Sequence, residues 1–195
     1  MKLGHLTPYQ KRKAKSNLLS LFNEATAENI NNGKRWYKRA NLICEEFALE
    51  FNTTTERVAQ VLSALSPRNK WERNIIDTRA VLEAVRDGKT PDDIKVCTFT
   101  SNKLKAFAIA KGELDITTES PKTYSFVRNI SRLDEHKVTI DVWHLRACFG
   151  KTIESGLTPL RYEQLERLTI KLAERLGLRG YEFQAIVWDT IRCKS

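Results

Sequence analysis

The stretch Ser120–Gly150, SPKTYSFVRNISRLDEHKVTIDVWHLRACFG, contains the signals that decide how this chain folds. Ser120 followed by Pro121 predicts a helix start, because serine caps helix N-termini and proline suits the first helical position. Residues 138–140 form a short apolar run that we expect to be extended. Asp141 then predicts an N-cap, and an aromatic helix follows it to the end of the stretch.

Apolar residues recur at helical spacing through most of the remaining chain. One set within residues 58–65 follows Thr54, a predicted N-cap, and another ends near Ala110 and is predicted to be capped by Thr100 or Ser101. Further sets predict helices over residues 40–51, 75–85, 165–176 and 183–191. Few segments alternate as a half-exposed strand does. The sequence therefore predicts an all-α fold.

Composition and charge narrow the function classes. The chain has 195 residues, of which 41% are hydrophobic and 29% charged, as expected for a globular protein with its own core. No apolar run approaches the roughly 20 residues of a membrane span, and the N-terminus lacks a secretory apolar stretch. We therefore expect no membrane partner and a cytoplasmic location, nucleoid-associated or in the cytoplasm of a host cell.

The net charge of +9 predicts a polyanionic partner, most simply nucleic acid. The first 23 residues contain lysines and an arginine but no acidic residue, and a solvated basic tail is the alternative interpretation. The segment Gly33–Arg39 interleaves four cations with two aromatic residues. It predicts a phosphate-facing helix with Lys34, Arg35 and Lys38 as DNA contacts, or else an ordinary amphipathic helix edge.

The cysteines indicate no metal chemistry. Cys44, Cys97, Cys148 and Cys193 are far apart in sequence, and no CxxC pair occurs. We therefore predict no metal site and no cofactor.

Lys122 and Asp141 lie 141 − 122 = 19 residues apart within the opening stretch. An amine can act as a nucleophile at a sugar carbon, and a carboxylate can stabilise the developing positive charge, so the pair could break a glycosidic bond. The alternatives are a surface or phosphate-binding role for Lys122 and a plain helix cap for Asp141.

Two further places could contact a base. Trp143 and His144 could stack on an extruded base, although a core role and a satisfied polar contact are their respective alternatives. In the loop after residue 65, Arg68 could insert into a vacated stack or remain a solvated surface residue.

The sequence resembles the helix-hairpin-helix DNA glycosylase superfamily, which includes endonuclease III and the oxidised-guanine glycosylases. VLSALSPRNKWERN, residues 61–74, is similar to the family's early helix, serine-containing turn and second helix. PKTYSFVRNI and VTIDVWHLRACFG, residues 121–130 and 138–150, are similar to its hairpin lysine, following helix and aspartate-led helix.

The resemblance implies two all-α lobes flanking a DNA-binding cleft, with approximate lobes 54–135 and 1–53 plus 136–195. It implies a monomeric enzyme that flips a modified or damaged nucleotide out of double-stranded DNA and cuts the base–sugar bond. By position, Lys122 matches the lysine of lyase-competent members and Asp141 the near-universal aspartate. Arg68 or Asn69 falls at the loop that fills the gap left by the flipped base. Further DNA contacts are expected at Lys70, Ser120, Thr123 and Arg128.

One departure from the family lies in the hairpin. The family's hairpin reads Leu-Pro-Gly-x-Gly, whereas residues 116–120 here are ITTES, with no glycine and with an acid at Glu119. Besides a glycosylase with or without lyase activity, two alternatives stay open. One is a transferase of the same fold that acts on hypermodified thymine in viral DNA, and the other is a non-catalytic DNA-binding module.

Overall fold

A computed structural model describes residues 5–150 and 157–193, and within these ranges the chain forms nine α-helices, one 3₁₀ turn and no strand. The all-α prediction is confirmed. The helices are α1 (Pro8–Asn23), α2 (Ala27–Glu50), α3 (Thr55–Leu65), α4 (Trp71–Arg86), α5 (Thr100–Ala110), α6 (Pro121–Arg132), α7 (Val142–Phe149), α8 (Pro159–Arg175) and α9 (Gly180–Cys193), with the 3₁₀ turn at Pro91–Asp93.

Most helix starts follow from local side-chain chemistry. Thr54 caps α3 by accepting a hydrogen bond from the Arg57 amide at 3.1 Å, as predicted. The predicted cap of α5 is wrong: Phe99 occupies the N-cap position without a side-chain cap bond, and Thr100 is the first helical residue. The Phe99 side chain instead contacts the Arg68 guanidinium, which lies 5.2 Å from its ring centroid.

The basic N-terminal segment is helical rather than a tail. Thr7 and Gln10 form a reciprocal capping box, and Pro8 takes the first position of α1. Ala14 and Leu18 are buried in the core, so one side of α1 packs inward while its cations stay exposed.

The chain divides into two compact units, Met1–Arg39 with Leu133–Ser195, and Ala40–Arg132. In the first unit, α1, α7, α8 and α9 pack on one another. Its core is formed by apolar side chains from all four helices and from the extended segment before α7: Leu6, Ala14, Leu18, Val138, Ile140, Ala147, Cys148, Tyr162, Leu165, Leu172, Ala173, Phe183 and Val187.

The second unit is built around α3, which packs against α4, α5 and α6. All of residues 58–65 are buried, because α3 has neighbours on several sides. α5 and α6 are joined by residues 111–120 and form a helix–connection–helix on α3. The first boundary between units falls within α2, and both boundaries differ from the sequence-based lobes 54–135 and 1–53 plus 136–195.

Candidate functional site

Lys122 lies in the first turn of α6 in the second unit. The chain turns before it, where the Ser120 amide donates to the Thr117 carbonyl at 3.1 Å. The Tyr124 amide then makes the first helical bond to the Ser120 carbonyl at 2.9 Å. Pro121 is the first helical residue, as predicted, and the Lys122 side chain is exposed. Its amine is therefore accessible to a ligand approaching the helix start.

Side chains of α3 hold the connection that leads to Lys122. Gln60 accepts from the Ile116 amide at 2.6 Å and donates to the Asp115 carboxylate at 3.0 Å. Arg57 donates to the same carboxylate at 2.8 Å and to the Leu114 carbonyl at 3.0 Å. These bonds fix residues 114–116 of the connection on α3. The sequence alone did not reveal this role for Gln60, because a glutamine on a helix is usually exposed.

The tip of the connection is open to solvent. Thr117, Thr118 and Glu119 are exposed, while Ser120 is half-buried. Thr123, another predicted DNA contact, is half-buried one position beyond Lys122. A phosphate backbone approaching this tip would meet the acidic side chain of Glu119.

Asp141 is the N-cap of α7 in the first unit, as its sequence context predicted. Its Oδ1 accepts a hydrogen bond from the His144 amide at 2.8 Å, and its backbone is extended. The side chain is half-buried. The cap bond holds the carboxylate in a defined orientation at the start of α7.

Two residues of α8 hold the extended segment that leads to Asp141. The Tyr162 hydroxyl donates to the Val138 carbonyl at 2.8 Å and accepts from the Ile140 amide at 3.1 Å. One turn further on, the Glu166 carboxylate accepts from the Val138 amide at 2.9 Å. A strand partner would otherwise supply these bonds, so α8 substitutes for a neighbouring strand. The sequence did not reveal these residues, since Tyr162 and Glu166 fit an ordinary helix pattern.

Tyr37 is a buried phenol in the electrostatic neighbourhood of Asp141. Its hydroxyl donates to Gln184 Oε1 at 3.1 Å and also hydrogen-bonds Thr139. Burial raises the pKa of Tyr37 well above its usual range, and the charge of Asp141 adds to this effect. Tyr37 is therefore protonated at physiological pH. In the sequence, Tyr37 is one of the two aromatic residues interleaved with the cations of residues 33–39.

Trp143 and His144 have different environments in α7. His144 is 1% exposed, and its Nε2 lies 3.0 Å from Thr169 Oγ1. Desolvation lowers the pKa of His144 to about 4, so the ring is neutral at pH 7. Trp143 is half-buried, and the Arg146 guanidinium lies 4.7 Å from its ring centroid. These contacts favour the structural interpretation of His144.

Hydrogen bonds to the buried Asp77 carboxylate hold the loop between α3 and α4. The Asn69 amide donates to Asp77 Oδ2 at 2.9 Å, and the Cys97 backbone amide donates to the same oxygen at 2.8 Å. Arg73 pairs with the other oxygen at 2.8 Å. Asp77 is fully buried, so this network fixes the loop. Asn69 therefore serves the loop's own structure through its amide nitrogen.

Arg68 lies exposed in this loop. Its φ of 57° is in the left-handed region, which non-glycine residues rarely adopt. Its guanidinium stacks 5.2 Å from the Phe99 ring centroid, and Thr98 donates to the Pro67 carbonyl at 3.0 Å. These contacts hold the Arg68 guanidinium in a defined position.

The remaining predicted DNA contacts are at the surface. Lys34, Arg35, Lys38 and Lys70 are exposed, and Arg128 is half-buried on α6. Within residues 5–150 and 157–193, no group of three His, Cys, Asp or Glu side chains is placed to hold a metal ion. In the same ranges, no helix has the length and apolar character needed to cross a bilayer.

The family is decided by the match of one family model to residues 2–195. The chain belongs to DUF7178, a family of unknown function. No curated protein and no solved structure matches this family member significantly. Its chemistry must therefore be inferred from its own residues and from the resemblance described above.

Proposed function

We propose that this DUF7178 protein is a DNA glycosylase that flips a modified or damaged base from double-stranded DNA and cleaves its bond to the sugar. The proposal includes the glycosylase-like two-lobed fold with a DNA-binding cleft, which the resemblance implies. Asp141 stabilises positive charge on the sugar, and Lys122 captures the sugar when the enzyme also acts as a lyase.

The observation that carries the proposal is the local structure around these two groups. Lys122 is exposed in the first turn of a helix that follows a helix–connection–helix, and Asp141 caps the next helix after an extended segment. This order of elements supports the proposal, because the resemblance to the glycosylases implies the same order. Side chains of α3 hold the connection before Lys122, and side chains of α8 hold the extended segment before Asp141.

The proposed reaction forms one bond as another breaks. The neutral Lys122 amine attacks the sugar C1′ while the C1′–N bond to the base breaks, and the electron pair of that bond leaves with the base. The base takes up a proton, and the lysine nitrogen loses one. Opening of the sugar ring then gives an imine, which permits strand cleavage and which borohydride reduces to a stable amine.

The test is borohydride trapping on labelled duplexes that carry normal, oxidised, alkylated, deaminated or hydroxymethylated bases or an abasic site. Lys122→Gln should abolish the covalent adduct and retain DNA binding. Asp141→Asn keeps a capping side chain but removes the charge, so it should slow base release by about 10²–10³-fold. Lys171→Gln and Asp92→Asn are matched controls at exposed positions and should behave like the wild type.

The hairpin favours a second candidate, a transferase of the same fold that acts on hypermodified thymine. Residues 116–120 of the connection have no glycine, are tied to α3 by the bond between the Ile116 amide and Gln60, and include the exposed Glu119. In this reaction a substituent on the base is exchanged and the base stays on its sugar. Retention of the base, with a changed base mass that depends on Lys122 or Asp141, would favour the transferase.

A non-catalytic DNA-binding module is the remaining alternative. It predicts salt-dependent binding without base release, base modification or adduct on every duplex in the panel.

A further inference from the structure

The segment from His5 to Arg39 has an unusual charge distribution. It contains eight lysine and arginine residues and only two acidic residues, Glu24 and Glu28. The cations are divided equally between two helices, and all eight are exposed: Lys11, Arg12, Lys13 and Lys15 in α1, and Lys34, Arg35, Lys38 and Arg39 in α2.

None of these eight cations has a carboxylate within ion-pair distance among the described residues. Elsewhere in the described chain, arginines commonly pair with acids, for example Arg73 with Asp77 and Arg57 with Asp115. Exposed cations without an ion pair are common on protein surfaces, so what sets this segment apart is the number of its cations and the scarcity of its acids.

Their spacing concentrates the charge. Lys11 and Lys15 are four residues apart, and two further such pairs start at Lys34 and Arg35. Side chains four residues apart are neighbours on a helix, and like charges in this arrangement repel one another. A bound polyanion would remove this repulsion.

The helices that carry these cations pack on the core of the first unit. α1 packs inward through Ala14 and Leu18. The α2 segment is anchored on α9, where Tyr37 bonds Gln184 and Gly33 abuts Ile186. The two helical segments therefore keep their polar sides outward.

A membrane surface fits these helices less well than a phosphate backbone does. Helices that bind membranes bury an exposed apolar face among the lipids. Between residues 5 and 39, Tyr9 is the only large apolar side chain that is exposed, because the others face the protein core. Dense, regularly spaced cations without an apolar face suit a phosphate backbone.

We infer that the exposed cations of α1 and those of residues 27–39 of α2 contact the phosphate backbone of double-stranded DNA irrespective of base sequence. These contacts extend the predicted set of Lys34, Arg35 and Lys38 to Arg39 and to the four cations of α1. The inference rests on the proposed function only for the choice of DNA as the polyphosphate.

The test measures binding of a short fluorescent duplex with unmodified bases by anisotropy, at several salt concentrations. One variant combines Lys11→Gln, Arg12→Gln, Lys13→Gln and Lys15→Gln. A matched control removes the same charge at exposed positions elsewhere through Lys95→Gln, Lys111→Gln, Lys171→Gln and Arg175→Gln. Thermal melting followed by circular dichroism confirms that both variants fold.

The α1 variant should bind at least about tenfold more weakly at 100 mM salt, and its log–log salt slope should be smaller by about 2 to 4, since each lost phosphate contact removes about 0.9. The control should change far less. Equal losses in both variants would reduce the effect to net charge and overturn the inference, as would wild-type binding by the α1 variant. Stronger α1-dependent binding to anionic lipid vesicles than to the duplex would also overturn it.

The result is separable from the proposed function. The duplex carries no modified base, and the readout is binding alone. If the protein binds DNA through α1 but releases no base and forms no adduct, this inference is supported and the glycosylase proposal is contradicted.

Discussion

Gly33 in α2 lies against the backbone of Ile186 in α9. A Cβ added to Gly33 would lie 2.5 Å from the Ile186 nitrogen and 2.6 Å from its Cα. Real Cβ atoms do not approach backbone this closely, so the two helices meet at a distance that only glycine allows. The contact holds the first half of α2, and with it the exposed Lys34 and Arg35, on the core of the first unit.

Gly33→Ala should therefore lower the free energy of unfolding by about 1–3 kcal/mol, because overpacking forces the helix backbones apart. Asn31→Ala is the control, since Asn31 is exposed on the same helix and the change improves helix propensity. Urea unfolding of both variants checks this, and equal stability of Gly33→Ala and the wild type would contradict the close approach.

Tyr162→Phe should lower the free energy of unfolding by about 1–3 kcal/mol. The lost hydroxyl leaves the Val138 carbonyl and the Ile140 amide buried without their partner. Tyr9→Phe removes a hydroxyl from an exposed ring and should leave stability within experimental error. Chemical denaturation compares the two variants. A similar midpoint for both would show that α8 does not hold the extended segment.

Replacements at Asp141 should separate its cap from its charge. Asp141→Ala removes the acceptor of the His144 amide and should lower the free energy of unfolding by about 1 kcal/mol. Asp141→Asn retains a capping side chain and should lower it much less. If Asp141→Asn retains stability but loses base release, the carboxylate acts in the reaction beyond its cap. Base release equal to wild type in Asp141→Asn would remove Asp141 from the mechanism.

His144 should make stability depend on pH. Burial lowers its pKa from 6.5 to about 4 in the folded protein, so the unfolded chain binds more protons between these values. Stability from this group is complete above about pH 6.5 and is lost as the pH falls towards about 4. His144→Gln should flatten this part of the profile, and His136→Gln at an exposed position should not. An unchanged slope in His144→Gln would contradict the burial effect.

The sequence predicts the helices best where local chemistry acts alone. Thr54 and Asp141 are caps because their side chains reach amides three residues ahead. α1 could have been found from the same kind of signal, the Thr7–Pro8–Gln10 capping box. Phe99 as the N-cap of α5 could not be predicted in this way, because its side chain makes no cap hydrogen bond that a sequence signal would mark.

The supporting residues of the candidate site were beyond sequence reasoning for a different reason. Gln60 bonds residues 55 and 56 positions away, and Asp77 bonds a backbone amide 20 positions away. Such partners are brought together by packing, so no spacing in the chain marks them. The positions of Lys122 at a helix start and of Asp141 as an N-cap were predictable, because the signals for both are local.

The most direct test of the central claim is to locate the covalent bond. The borohydride-reduced complex is digested with protease, and the peptide that carries the sugar is identified by mass spectrometry. We predict that the sugar remnant is on Lys122 and that Lys122→Gln gives no modified peptide. A remnant on another lysine, or base release at the wild-type rate in both Lys122→Gln and Asp141→Asn, would contradict the account.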